Sequence, residues 1–276
     1  MKHSEKKRSA LKILRTGDPR SAFHTCTPQQ ILEMYGVPRR LLSSSTKAEK
    51  SAKVGVLNKV MYLTPGVFCV RATSGCLANC LGHTSGRMVM PTSTRARDRR
   101  AALYQEDQEH FLRLLRADLA ELREEARCLG MVPAARLNGT SDIPWEELHP
   151  EILEEFSDIR FFDYTKIDAR MWRFLNGNIG NRPWSNNYHL TFSMSETNQV
   201  EAINLLAAGG NVAVVFWPRL PRTWLNLPVI DGDAHDARFL DPQGVIVGLS
   251  AKGVAREDLS GFVVHTDKSR KLMNAA

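Results

Sequence analysis

The sequence predicts an α/β protein built on a parallel sheet, either open or rolled into a partial β/α barrel. Three observations carry that expectation. Short apolar runs of strand length alternate with helical patterns from about residue 54 to residue 265. Polar clusters directly follow several of those runs, as expected where chemistry gathers at the carboxyl ends of parallel strands. A chain of 276 residues with 43% hydrophobic and 24% charged content has ordinary globular composition and can bury a sizeable core, as one large domain or two small ones.

Taken in order, Thr27 followed by Pro28 predicts a capped helix over 28–35. Residues 43–51 are rich in Ser and Lys and read as a linker. Alternation over 54–63 predicts the first strand, ended by Thr64-Pro65-Gly66. From 94 to 129, apolar positions at Phe111, Leu114, Leu115, Leu119 and Leu122 predict a long amphipathic helix, kinked or divided once and stopped at Gly130. Strands follow at 134–137, 159–164, 188–193, 211–217, 229–230, 245–249 and 262–265, with helices over 144–156 and 196–208. The domain division read from this pattern is a basic arm and linker over 1–52, the α/β body over 53–267 and a short tail over 268–276.

Charge is unevenly spread. Residues 1–50 hold 11 Lys/Arg against 4 Asp/Glu, and the rest of the chain holds 26 against 26, so the whole net charge of +7 belongs to the N-terminal segment. A flexible basic extension of this kind suits a nucleic acid or another acidic partner, or is simply a solvated tail. It has few aromatics (Phe23, Tyr35), so base stacking is not suggested. No apolar run has the length of a membrane span, and the first residues lack the apolar stretch of a signal peptide. Five cysteines, an odd number, suit a reducing compartment. The expectation is a protein of the host-cell cytoplasm with no membrane partner.

The most informative stretch is FCVRATSGCLANCLGHTSGRM, which places Cys69, Cys76 and Cys80 in C-x6-C-x3-C spacing just after the first strand. Three thiolates so close suit a four-iron cluster with one iron left open. With His83 they also suit a closed Cys3His zinc site. Reduced, packed thiols are the plain alternative. Gly82 to Arg87 (GHTSGR) reads as a turn or an anion cradle. Asn138, Thr140, Ser141 and Asp142 follow a strand and can face a ligand or cap the next helix. Asp163, Tyr164 and Lys166 end the next strand, where they can bind ligand, move a proton or form an ion pair. Ser193 and Glu196 end the one after. The Asp231–Asp241 segment, DGDAHDARFLD, matches no calcium loop and reads as a polar turn, and His189 reads as a satisfied core histidine.

The order of the cysteine loop, RLNGTSDIPW, FFDYTK, NYHLTFSMSE, NVAVVFW, PVIDGD, FLDPQGVIVGLSAKG and GFVVHTD resembles an uncharacterised phage family known as the gene product 88 domain family, over residues 53–267. That family is similar in outline to radical S-adenosylmethionine barrels. The resemblance implies Cys69, Cys76 and Cys80 as ligands of a [4Fe-4S] cluster. It also implies that Asn138, Thr140, Ser141, Asp142, Asp163 and Lys166 sit on strand tips where a cofactor would make contact, and the strand-tip pattern adds Ser193 and Glu196 as groups that would orient S-adenosylmethionine and substrate. No later cysteine group and no Gly-Gly-Glu-type motif after the second strand is present. The expected function is thus a phage- or mobile-element-encoded iron–sulfur enzyme of radical S-adenosylmethionine type, its catalytic residues and substrate unassigned. The other reading is a replication-associated protein that binds DNA or RNA through residues 1–50 and holds structural zinc or no metal. No His-hydrophobe-His pair marks a rolling-circle nickase.

Overall fold

The computed structural model describes residues 16–267, and the basic residues 1–15 and the tail 268–276 lie outside the described residues. Segment 16–52, read from sequence as arm and linker, is docked against the body. Asp18 is fully buried and pairs with Arg97 at 2.9 Å, while Asp98 accepts from the Ser21 hydroxyl and the Ala22 amide, both at 2.8 Å. Helix α1 (Pro28–Tyr35) starts with the expected Thr27 cap, closed into a capping box by Gln30, and buries Ile31 completely. Strand β1 (Leu42–Ser43) pairs antiparallel with β2 (Val56–Met61), so the Ser- and Lys-rich stretch is partly sheet edge and partly short helix. The docked part also engages most of its cations. Arg20, Arg40 and Lys47 pair with Asp18, Glu121 and Asp236, and Lys50 donates to the Asp233 carbonyl.

The remaining strands are β3 (Val132–Arg136), β4 (Arg160–Thr165), β5 (Asn178–Ile179), β6 (Arg182–Pro183), β7 (Tyr188–Ser193), β8 (Val212–Trp217), β9 (Thr223–Trp224), β10 (Leu227–Asp231), β11 (Ile246–Ser250) and β12 (Val263–His265). Apart from the small β5–β6 ribbon they form one sheet in the order β1-β2-β3-β4-β7-β8-β11-β10-β9. Pairs from β2 through to β10 are parallel, and only the outer pairs, β1 with β2 and β9 with β10, are antiparallel. This is the mixed α/β class with a mostly parallel sheet that the alternation of elements predicts.

One departure from a simple ladder matters for the site. β8 keeps β11 along one side from Val212 to Phe216. β7 pairs with β8 only through Phe192 and Ser193, and β12 pairs with Val215, Phe216 and Trp217 further along. The sheet therefore forks at the carboxyl end of β7, and the chain leaving Ser193 is free to cross the rim.

Helices α2 (Ser74–Ala78), α3 (Pro91–Glu106), α4 (Gln108–Leu129), α5 (Asp168–Leu175) and α6 (Gln199–Ala207) make the crossovers. The predicted long helix is divided at Asp107, whose φ of −142° leaves the helical region and whose carboxylate caps the His110 amide. Phe111, Leu115, Leu119, Leu122 and Ala126 of α4 recur at helical spacing and are all fully buried, and the first four join Ala135, Leu137, Phe161 and Leu190 in the main core. The other face of the sheet carries Val56, Ala134 and Phe162, covered by Ala237 and Phe239. The helix expected over 144–156 is two turns, Trp145–Leu148 and Pro150–Glu155, because Pro150 removes an amide donor and disfavours helical backbone at His149. No described helix is long and apolar enough to cross a membrane.

Candidate metal centre and its strand-tip rim

The cysteine loop leaves the carboxyl end of β2. Thr73 caps α2 by accepting from the Cys76 amide at 3.2 Å, which fixes Cys76 in the first turn. Two glycines let the loop approach its neighbours. A Cβ at Gly75 would stand 2.7 Å from Glu196 Oε1, and one at Gly82 would stand 2.6 Å from the Thr140 methyl and 2.7 Å from Pro65. Gly82 of the GHTSGR segment is thereby committed to close packing, and Arg87 is exposed.

Neighbouring strand tips hold this loop. Glu196, beyond β7, accepts from the Gly75 amide at 2.7 Å and the Thr73 hydroxyl at 2.8 Å. Asn79 donates to Asp258 at 2.7 Å, just before β12. Beyond β3, the Cys69 thiol donates to the Thr140 carbonyl at 3.5 Å, the Asp142 amide to the Phe68 carbonyl at 2.9 Å, and the Thr140 hydroxyl to the Leu63 carbonyl at 2.5 Å. From the end of β4, the Lys166 ammonium donates to Ser193 Oγ at 2.8 Å and lies 5.8 Å from the Phe262 ring centre.

The three cysteines are free and half-buried. Burial pushes the Cys80 thiol up to about 11, reinforced by Cys76 and opposed by the charges of Lys166 and Arg97. Burial likewise raises Cys69, with Cys80 and Cys76 adding to the effect. A thiol of this kind ionises when a metal replaces its proton. His83 is turned to the Leu77 carbonyl, with Nε2 at 2.7 Å. Among the described residues, no three His, Cys, Asp or Glu side chains are grouped so as to hold a metal ion. The donor set in the loop is all sulfur, the chemistry that an iron–sulfur cluster selects.

Behind the rim lies a buried polar network. Asp163 is fully buried and accepts from the Asn138 amide at 2.7 Å, Asn138 Nδ2 at 3.0 Å and the Tyr188 hydroxyl at 2.8 Å. Burial pushes its carboxyl up to about 7, against the pull of Arg136 and these donors. Ser141 donates to Asn138 Oδ1 at 2.8 Å. Asp142 accepts from the Lys166 amide at 2.9 Å, Thr165 Oγ1 at 3.2 Å and Arg170 Nη1 at 2.6 Å. Arg170 also makes a two-pronged pair with Glu146, both contacts at 2.7 Å.

The candidate residues therefore divide by position. Thr140, Lys166, Ser193 and Glu196 reach the cysteine loop or the space beside it, whereas the side chains of Asn138, Ser141, Asp142 and Asp163 are engaged in shaping the loop behind it. Arg170, Glu146 and Tyr188 complete that network and were not singled out in the sequence. Arg170 lies within an amphipathic helix, where nothing local marks it as a buried partner. The Asp231–Asp241 segment packs as a turn, with Asp236 buried 3.2 Å from Lys47 and 3.6 Å from Arg136. His189 corrects an expectation. It is only half-buried, its Nε2 is buried without a hydrogen-bond partner, and burial pushes its pKa down to about 4.

No curated protein and no solved structure matches the chain. The family model described as Gene product 88 matches residues 40–266, which extends past the stretch that carries the resemblance in the sequence and takes in β1. The chain belongs to the gene product 88 family.

Proposed function

We propose that this phage-family protein is an iron–sulfur enzyme in which Cys69, Cys76 and Cys80 hold a [4Fe-4S] cluster at the carboxyl rim of the sheet. The observation that carries the reading is that one loop bearing three cysteines is bound on both sides by strand tips, through the Asp142 amide on one side and Glu196 on the other. A cluster held by three cysteines supplies one-electron chemistry and leaves one iron for an outside ligand.

The chain's own groups have distinct tasks in this reading. Glu196 and Asn79 fix the loop backbone, so the thiols are presented in one arrangement. Lys166 has no carboxylate partner among the described residues, and its bond to Ser193 holds the ammonium beside the loop. It suits the carboxylate of a bound amino-acid-like cofactor such as S-adenosylmethionine. Phe262 beside it restricts water around that charge. The Asp163–Arg170 network keeps the NGTSD turn in place without touching the reacting groups.

Reconstitution with iron and sulfide without oxygen tests the reading. The wild-type chain gains the broad visible absorption of a cluster, and the Cys69/Cys76/Cys80→Ser variant does not. A Lys166→Met variant keeps the absorption and loses retention of S-adenosylmethionine. Equal spectra for wild type and the triple variant contradict the assignment. The nucleic-acid reading rests chiefly on residues 1–15, since the cations of the docked segment are largely engaged.

A further inference from the structure

At the opposite end of the sheet from the cysteine loop lies a cleft of about 690 Å³. It borders the amino ends of β3, β4 and β7, at Val132, Arg160 and Tyr188. Its volume falls in the range of small-molecule sites. Besides Tyr188, aromatic side chains line it from three segments: Phe174 from the end of α5, Trp184 from the segment before β7, and Phe239 from the turn that covers the second face of the sheet. Phe174 and Phe239 are half-buried, so part of each ring remains open. Phe174 stands edge-on to both Trp184 and the His189 imidazole, with centroids 5.5 Å and 5.1 Å apart.

Two polar features narrow the occupant. His189 lines the cleft, and its imidazole makes no hydrogen bond among the described residues; Nε2 itself is shut off by burial, so a ligand in the cleft would meet the other edge of the ring. A ring whose edge offers both donors and acceptors satisfies either tautomer. Arg160 is exposed at the cleft, has no carboxylate within ion-pair distance among the described residues, and makes one long bond of 3.4 Å to the Asn186 carbonyl. Its guanidinium fork is thus available to an anion, and phosphate suits it best.

We propose that this cleft is a nucleotide site, in which a planar heteroaromatic base packs against Phe174 and Phe239, its edge meets His189, and its phosphate is held by Arg160. Stacking on the rings supplies the sequence-tolerant part of the affinity and the Arg160 contact supplies the preference for a charged ligand. The site shares no residue with the cysteine loop, so it stands or falls separately from the iron–sulfur reading.

Calorimetric titration of the full chain with adenosine 5′-monophosphate, adenosine and inorganic phosphate tests it. The monophosphate binds at one saturable site, about tenfold more tightly than adenosine, and phosphate alone binds more weakly still. Arg160→Ala, an exposed position where folding is not at risk, brings the monophosphate down to the level of adenosine and leaves adenosine unchanged. His189→Phe, its fold checked by circular dichroism, weakens both. No saturable binding of the monophosphate at millimolar concentration overturns the proposal, as does binding that Arg160→Ala leaves unaltered.

Discussion

The carboxylate of Glu196 receives the backbone amide of Gly75 at 2.7 Å, a contact between the strand tip beyond β7 and the turn that presents Cys76. A side chain at position 75 would collide with that carboxylate, so the glycine and the acid define one another. The fork in the sheet makes the contact reachable, because β7 leaves β8 after Ser193 and frees the chain to cross the rim.

Removing that carboxylate should loosen the loop more than the body. Glu196→Ala leaves the Gly75 amide and the Thr73 hydroxyl without their partner, a loss of about 1.5–3 kcal/mol locally for bonds to a charged group. Amide hydrogen exchange should accelerate at Gly75 and Cys76 while the α4 amides keep their protection. Uniform acceleration across both would contradict a local role.

Asp163 makes a prediction about pH. Its folded-state pKa of about 7 lies above the ordinary carboxylate value, so the native state binds the proton more tightly than the unfolded chain does. The contribution to stability is complete below about pH 4 and is lost as pH rises towards 7, with a slope of at most about 1.4 kcal/mol per pH unit. Denaturant unfolding of wild type and Asp163→Asn across that range should show the stability difference shifting against the wild type as pH rises. A difference independent of pH would show that Asp163 stays ionised.

Arg170 neutralises two carboxylates that have little access to water. Arg170→Met should destabilise the fold by about 3–5 kcal/mol, because Glu146 and Asp142 remain buried without their cation. Adding Glu146→Gln should recover part of the loss. Urea titration of the two variants measures both effects, and an unaltered midpoint for the single variant would contradict the network.

Gly82 tests the close approach of the cysteine loop to the NGTSD turn. Gly82→Ala should cost about 1–3 kcal/mol through overpacking against Thr140 and Pro65. Thr140→Ser removes the methyl in the way and keeps the hydroxyl that bonds Leu63, so the double variant should be more stable than Gly82→Ala alone.

How far the sequence carried these conclusions depends on the range of the interactions. The capping box at Thr27 and Gln30, the α4 stripe from Phe111 to Ala126 and the apolar run of β8 are local patterns, and they were legible. So was the placement of the cysteine loop and three polar clusters after successive strands. The docking of residues 16–52 was not, because it depends on Asp18 meeting Arg97 and on Ser21 meeting Asp98, each more than 75 positions away. For the same reason spacing alone does not distinguish Thr140 and Glu196, which contact the loop, or Lys166 and Ser193, which bond to one another, from Asn138 and Asp163, which are tied behind it. The cleft beside His189 was hidden because its walls come from three separated segments.

The most direct measurement is the iron, sulfide and zinc content of protein purified without oxygen, for wild type and for the Cys69/Cys76/Cys80→Ser variant. About four iron and four sulfide per wild-type chain are expected, and none in the variant. Stoichiometric zinc, or iron that persists in the variant, would contradict the cluster assignment.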